Sequence, residues 1–155
     1  MMRSSLTVPV ALVVFASLAA IASPARAADS PIGTWVRKAE AGKSAITMTV
    51  EAWGNGKGKL TYRIKGADLV LTIVSALDGS DAPVLINGKP SGETMAIKLV
   101  DKRHSTTVVK MNGKPFGTSK GAFSEDFTTL TVENEFSASV GSNTVGKSTE
   151  IWVRE

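Results

Sequence analysis

Few side chains in this sequence are of a type that does chemistry alone. The single histidine, His104, sits in "DKRHS" (101–105) beside Asp101. A His–carboxylate pair is half of a general-base arrangement. It still needs a nucleophile or a substrate proton within reach, and no such partner is near in sequence. His104 is therefore expected to be a solvated turn residue. Asp78-Gly79-Ser80-Asp81 offers two carboxylates, against about six to eight oxygens for calcium. Asp, Gly and Ser are what tight turns use, so this stretch is expected to be a turn. The chain has no Cys and one His, which leaves thiolate and imidazole metal sites without ligands. "GNGKGK" (54–59) is rich in Gly and Lys but leads into no helix, so it is not a phosphate cradle. No catalytic residue, metal site or cofactor is expected, and the chain does not read as an enzyme.

The most distinctive local feature is a repeat, "INGKPSG" at 86–92 and "MNGKPFG" at 111–117. Asn-Gly at the centre of a two-residue loop suits a type I′ turn, where both residues need positive φ. For the second copy this predicts that Met111 faces Lys114, Lys110 faces Pro115 and Val109 faces Phe116. The first copy is expected to be a wider loop, because "SGE" after Pro90 is a poor strand. The motif thus sets hairpin register, and its Lys-Pro tips belong at a sheet rim.

The elements that carry these turns have period two almost throughout. "AITMTVEAW" (45–53) alternates Ile46, Met48 and Val50 with Thr47, Thr49 and Glu51. "KLTYRIK" (59–65) alternates Leu60, Tyr62 and Ile64 with Thr61, Arg63 and Lys65. Such alternation marks strands with one dry and one wet face. "ETMAIKLV" (93–100), "STTVVKM" (105–111), "TTLTVEN" (128–134) and "STEIWVRE" (148–155) continue it. Beyond residue 28 no helical period stands out. Eight to ten short strands joined by tight turns predict a single all-β domain, an antiparallel up-and-down barrel that closes on itself and so has no exposed edge.

The N-terminus has a different character. Arg3 precedes an apolar run over 8–22, too short for a comfortable span, and Ala25-Arg26-Ala27 is an A-x-A cleavage site. Residues 1–27 are expected to be a signal peptide cleaved near Ala27, leaving a domain over 28–155 in the periplasm or medium, with no membrane span in the mature form. Arg3 and Arg26 leave with the leader, which lowers the formal charge from +4 to +2. The remaining Lys and Arg are spread singly except for "RK" (37–38) and "KRH" (102–104), neither of which makes a basic stripe with interleaved aromatics, so no nucleic-acid partner is expected. Without Cys there are no disulfides, and the fold must rest on its core.

Gly33-Thr34-Trp35, opening the first strand, resembles the G-x-W of the calycin superfamily, the lipocalins and fatty-acid-binding proteins. The closing "IWVRE" (151–155) resembles the last strand of fatty-acid-binding proteins. The segments between resemble small exported bacterial lipocalin-like proteins without an assigned activity. The resemblance implies a barrel in which Trp35 plugs the closed end under Arg154. Three features depart from it. The two helices that follow the first strand in fatty-acid-binding proteins have no room, and the lipocalin T-D-Y loop is absent. Glu150 and Trp152 stand where those proteins hold a ligand carboxylate with Arg and Tyr. Trp152 shares a parity with Glu150 and Arg154 and is expected to face out or cover an end, and Trp53 to sit at the rim.

The predicted inward set is Met48, Val50, Tyr62, Ile64, Met95, Ile97, Val109, Met111, Phe116 and Leu130. The candidate ligand contacts are Met48, Tyr62, Ile64, Met95, Ile97, Val109, Met111 and Phe116, since methionines make an adaptable apolar lining. The expected function is binding of a small lipophilic or amphipathic molecule inside an exported barrel. The alternative is a filled barrel that acts through its surface as an interaction or inhibitor module.

Overall fold

The computed structural model describes residues 28–39, 44–139 and 145–155. The expected signal peptide, residues 1–27, lies outside the described residues. Ten strands follow in order: β1 Gly33–Arg37, β2 Ile46–Gly54, β3 Lys57–Ile64, β4 Val70–Ser75, β5 Asp78–Ile86, β6 Lys89–Leu99, β7 His104–Met111, β8 Lys114–Phe123, β9 Thr129–Phe136 and β10 Gly146–Arg154. Each pairs antiparallel with its sequence neighbours, and β10 pairs back onto β1, closing the barrel. The up-and-down barrel expected from the alternation is the observed fold.

Asn-Gly turns set the register at three hairpins. Asn55, Asn87 and Asn112 have φ of 52°, 50° and 49°, and each is followed by a glycine with positive φ. Both NGKP copies form the same tight turn. Ile86 pairs with Lys89 and Leu85 with Pro90, as Met111 pairs with Lys114 and Lys110 with Pro115. The wider loop expected at the first copy is therefore not found. The "SGE" irregularity is absorbed after the turn, where the Ser91 hydroxyl donates to the Val84 carbonyl and accepts from the Glu93 amide, at 2.7 and 3.2 Å. In the second copy Val109 pairs with Gly117 instead of Phe116, because a one-residue bulge falls at Phe116.

A bulge also corrects the expectation for Trp53. The register slips between Val50 and Ala52, which turns the parity after Glu51 and brings Trp53 opposite Gly58, on the inner face. Asp78–Asp81 is part of β5 and not a turn. The chain reverses before it, at Leu77 (φ 59°), and the Asp78 carboxylate accepts from the Ser80 amide and hydroxyl.

In a meander, turns alternate between the two ends. The β2–β3, β4–β5, β6–β7 and β8–β9 connections share one end with residues 28–32 and the C-terminus. This end is closed. Trp35 is fully buried there and packs on Phe123 at 5.3 Å, and Phe123 also meets Trp53 and Phe127. The Trp35 indole donates to the Pro31 carbonyl at 2.9 Å. The Arg154 guanidinium lies 5.5 Å from the Trp35 ring and donates to the carbonyls of Ser30, Phe127 and Ile32. Both NGKP turns lie at the opposite end.

Replacing Arg154 strands three carbonyls and uncovers Trp35. Arg154→Ala should destabilise the fold by about 2–4 kcal/mol in urea unfolding. Arg154→Lys should recover little of that, because one ammonium cannot span the fork of contacts.

Candidate functional site

The interior is hollow and holds a cavity of about 260 Å³. It exists because the inner row of β8 is small: Gly117, Ser119 and Gly121 precede Phe123. The ring of Phe136 lies over Gly117, where a Cβ would come within 2.1 Å of it. A filled interior, the premise of the surface-module alternative, is not what the chain builds.

Met48, Tyr62, Ile64, Met95, Ile97 and Val109 line the cavity. Met111 and Phe116 do not. The bulge at Phe116 directs its ring against Phe136, stacked at 6.1 Å, and with Val109 these two form a separate small core that Met95 and Met111 flank. That core lies toward the end of the barrel that carries the NGKP turns.

The lining has two faces. β2, β3 and β4 contribute Ile46, Met48, Val50, Leu60, Ile64, Leu71 and Ile73, with the rings of Trp53 and Tyr62. Diametrically opposite, β7, β8 and β9 set the small polar groups Ser105, Thr107, Ser119 and Asn134 among the apolar Val109, Phe123, Leu130, Val132 and Phe136. Ser119 donates to the Asn134 side-chain oxygen at 2.6 Å, which leaves the Asn134 amide hydrogens for another acceptor. The indole N–H of Trp53 is buried without a partner.

Three charged residues complete the wall. Arg37 donates to Glu150 at 3.1 Å, and the Trp152 indole donates to the other Glu150 oxygen at 3.2 Å. The Arg37 and Glu150 side chains are only 17% and 26% exposed. Trp152 is buried and meets the Tyr62 ring edge-on at 5.9 Å. Burial, reinforced by the negative Glu150, pushes the Tyr62 phenol far above its ordinary value, so it stays a neutral donor. On β6 the third group, Glu93, is half-buried and forms no ion pair among the described residues. Burial alone pushes its carboxyl upward.

Trp152 thus faces the interior, contrary to the outward or end-covering position expected. Opposite residues of an antiparallel pair share a face, so the Trp35–Arg154 pair carries Arg37 and Trp152 inward with it, and Glu150 after them. The inward position of Trp35 therefore implied all three by period two. The parity of Met95 likewise implied Glu93. His104 opens β7, and its Nδ1 lies 2.8 Å from Asp101. Asp101 also caps the Arg103 and His104 amides, so the pair stabilises a half-exposed turn outside the cavity.

No family model and no curated protein matches the sequence. The structure is similar to the crystal structure of a mutant of the fluorescent protein UnaG, with a TM-score of 0.58, 14% identity, and 80% of this chain and 95% of that chain covered. The likeness is one of fold, a closed antiparallel barrel. As the calycin resemblance implies, Trp35 lies under Arg154 at the closed end.

The burial of Glu93 has a pH signature. A carboxyl raised in the folded state contributes its full stability below the ordinary value of about 4.3 and loses it as pH rises through the raised value. Glu93→Gln removes this cost. Its melting temperature should exceed the parent's at neutral pH, with the gap closing below about pH 4. Differential scanning fluorimetry across a pH series checks this.

Proposed function

We propose that this chain is an exported calycin-like barrel that binds one small amphipathic molecule in its interior. The observation that carries the proposal is the two-faced cavity. β2–β4 supply an aliphatic and aromatic wall, and β7–β9 add a cluster of hydroxyl and amide groups, Ser105, Thr107, Ser119 and Asn134, set among further apolar side chains. Such a lining suits a ligand with an apolar edge and a hydrogen-bonding edge. At about 260 Å³ the cavity is smaller than the drug-sized sites of about 300–1,000 Å³. The ligand is correspondingly small. Met48 and Met95, with Ile64, Ile97 and Val109, are its proposed apolar contacts, and Tyr62 is a neutral donor.

Binding is tested with the neutral dye N-phenyl-1-naphthylamine and by mass spectrometry of protein extracted from its source. One dye per barrel should bind with a fluorescence gain. Thr107→Phe, which fills the cavity from β7, should abolish that gain while the variant unfolds cooperatively. A barrel that neither binds the dye nor carries a ligand from its source overturns the proposal.

Export rests on the sequence of residues 1–27 and on the absence of Cys. The expected cut places Ala28 at the new terminus, and Ala28 packs against the core at the closed end. N-terminal sequencing of the protein from the periplasm or medium should begin at Ala28. A retained leader, or protein confined to the cytoplasm, removes the export part of the proposal.

A further inference from the structure

The charges in the cavity are arranged for a particular head group. Of the residues that line it, only Arg37, Glu93 and Glu150 carry charge, which makes the interior net negative when all three are ionised. Among the described residues Arg37 is the one cation of the lining, and its guanidinium is bound to Glu150 across the β1–β10 seam. A ligand carboxylate would have to displace Glu150 from Arg37 and would leave that acid buried without its partner, a costly exchange. Glu93 stands elsewhere. In the ring of ten strands, β6 lies diametrically opposite β1, so Glu93 and the Arg37–Glu150 pair belong to facing walls of one chamber.

Among the described residues no cation pairs with Glu93. It pairs in register with Met111 and precedes Met95 on the same face. The nearest lysine along the ladder, Lys110, is held by Asp81 at 2.8 Å, outside the cavity. A carboxyl with oxygen acceptors and no cation, set in an apolar chamber, is an incomplete pair. Five aromatic residues share that chamber: Trp53, Tyr62, Phe123, Phe136 and Trp152. Ring faces attract cations and are indifferent or averse to anions.

From this juxtaposition we propose that the interior selects a small amphiphile with a cationic amine head, with Glu93 as the acceptor of its N–H groups and the aliphatic wall of β2–β4 as the seat of its chain. The proposal rests on the interior being a ligand site. The upward displacement of the Glu93 carboxyl is what a site missing its cation would show, and an ammonium group would restore the ionised form. Tyr62, neutral at working pH, can accept a further N–H.

The test compares decylamine, decanol and decanoate, all below micelle formation, as competitors for the neutral naphthylamine dye. The amine should bind about ten- to a hundredfold more tightly than the alcohol, the range expected of one hydrogen bond to a charged group. Decanoate should bind most weakly. Glu93→Gln should bring the amine down to about the affinity of the alcohol. Glu93→Lys should invert the order of amine and decanoate. Equal binding of all three, preference for decanoate, or an amine preference that survives Glu93→Gln overturns the head-group assignment while leaving the interior site standing. Failure of all three, together with failure of the dye, overturns both.

Discussion

The seam between β1 and β10 is the constraint on which this barrel depends. It is short: Trp35, Val36 and Arg37 pair with Arg154, Val153 and Trp152. Every other interface in the barrel is a hairpin joined by a connection of the chain, but this one must find itself from the two ends of the domain. Side chains hold it at both ends of the barrel. At the closed end Arg154 covers Trp35 and gathers carbonyls from residues 30, 32 and 127. Toward the opposite end Arg37 reaches across to Glu150. Closure leaves no unpaired strand edge, which a ten-stranded open sheet of this composition would expose.

The same seam couples fold to site. The Arg37–Glu150 pair is part of the closure and part of the cavity wall. A buried ion pair adds little net stability, since desolvation offsets the attraction, but it penalises any register that separates its members. Its engagement also withdraws Arg37, the one cation of the lining among the described residues, from any anionic ligand. The chemistry of the interior is in this sense a consequence of how the barrel is shut.

The hollow has a separate origin. β8 presents Gly, Ser and Gly inward where β2 and β3 present Met, Val, Leu and Tyr. Space is left on one side and walls of different polarity face each other across it. Two bulges refine this. The one after Val50 turns Trp53 inward against Phe123, and the one at Phe116 turns that ring onto Phe136. One narrows the closed end and the other the end that carries the NGKP turns.

Much of this was legible in the sequence. Strict alternation of dry and wet residues with Asn-Gly at the reversals leaves an antiparallel meander as the economical fold, because period two and positive φ are local properties. The inward positions of Met48, Tyr62, Ile64, Met95, Ile97 and Val109 follow from the same period, as does that of Arg37 once Trp35 is inside. What period two cannot carry is its own interruption. A bulge adds one residue to one strand only, so Trp53, Phe116 and the register at Val109 were decided by packing between strands. The partnership of Arg37 with Glu150 and the isolation of Glu93 across the chamber were decided later still. They depend on which strands the closed ring makes adjacent and which it sets opposite, a relation between residues far apart in the chain that only the tertiary structure creates.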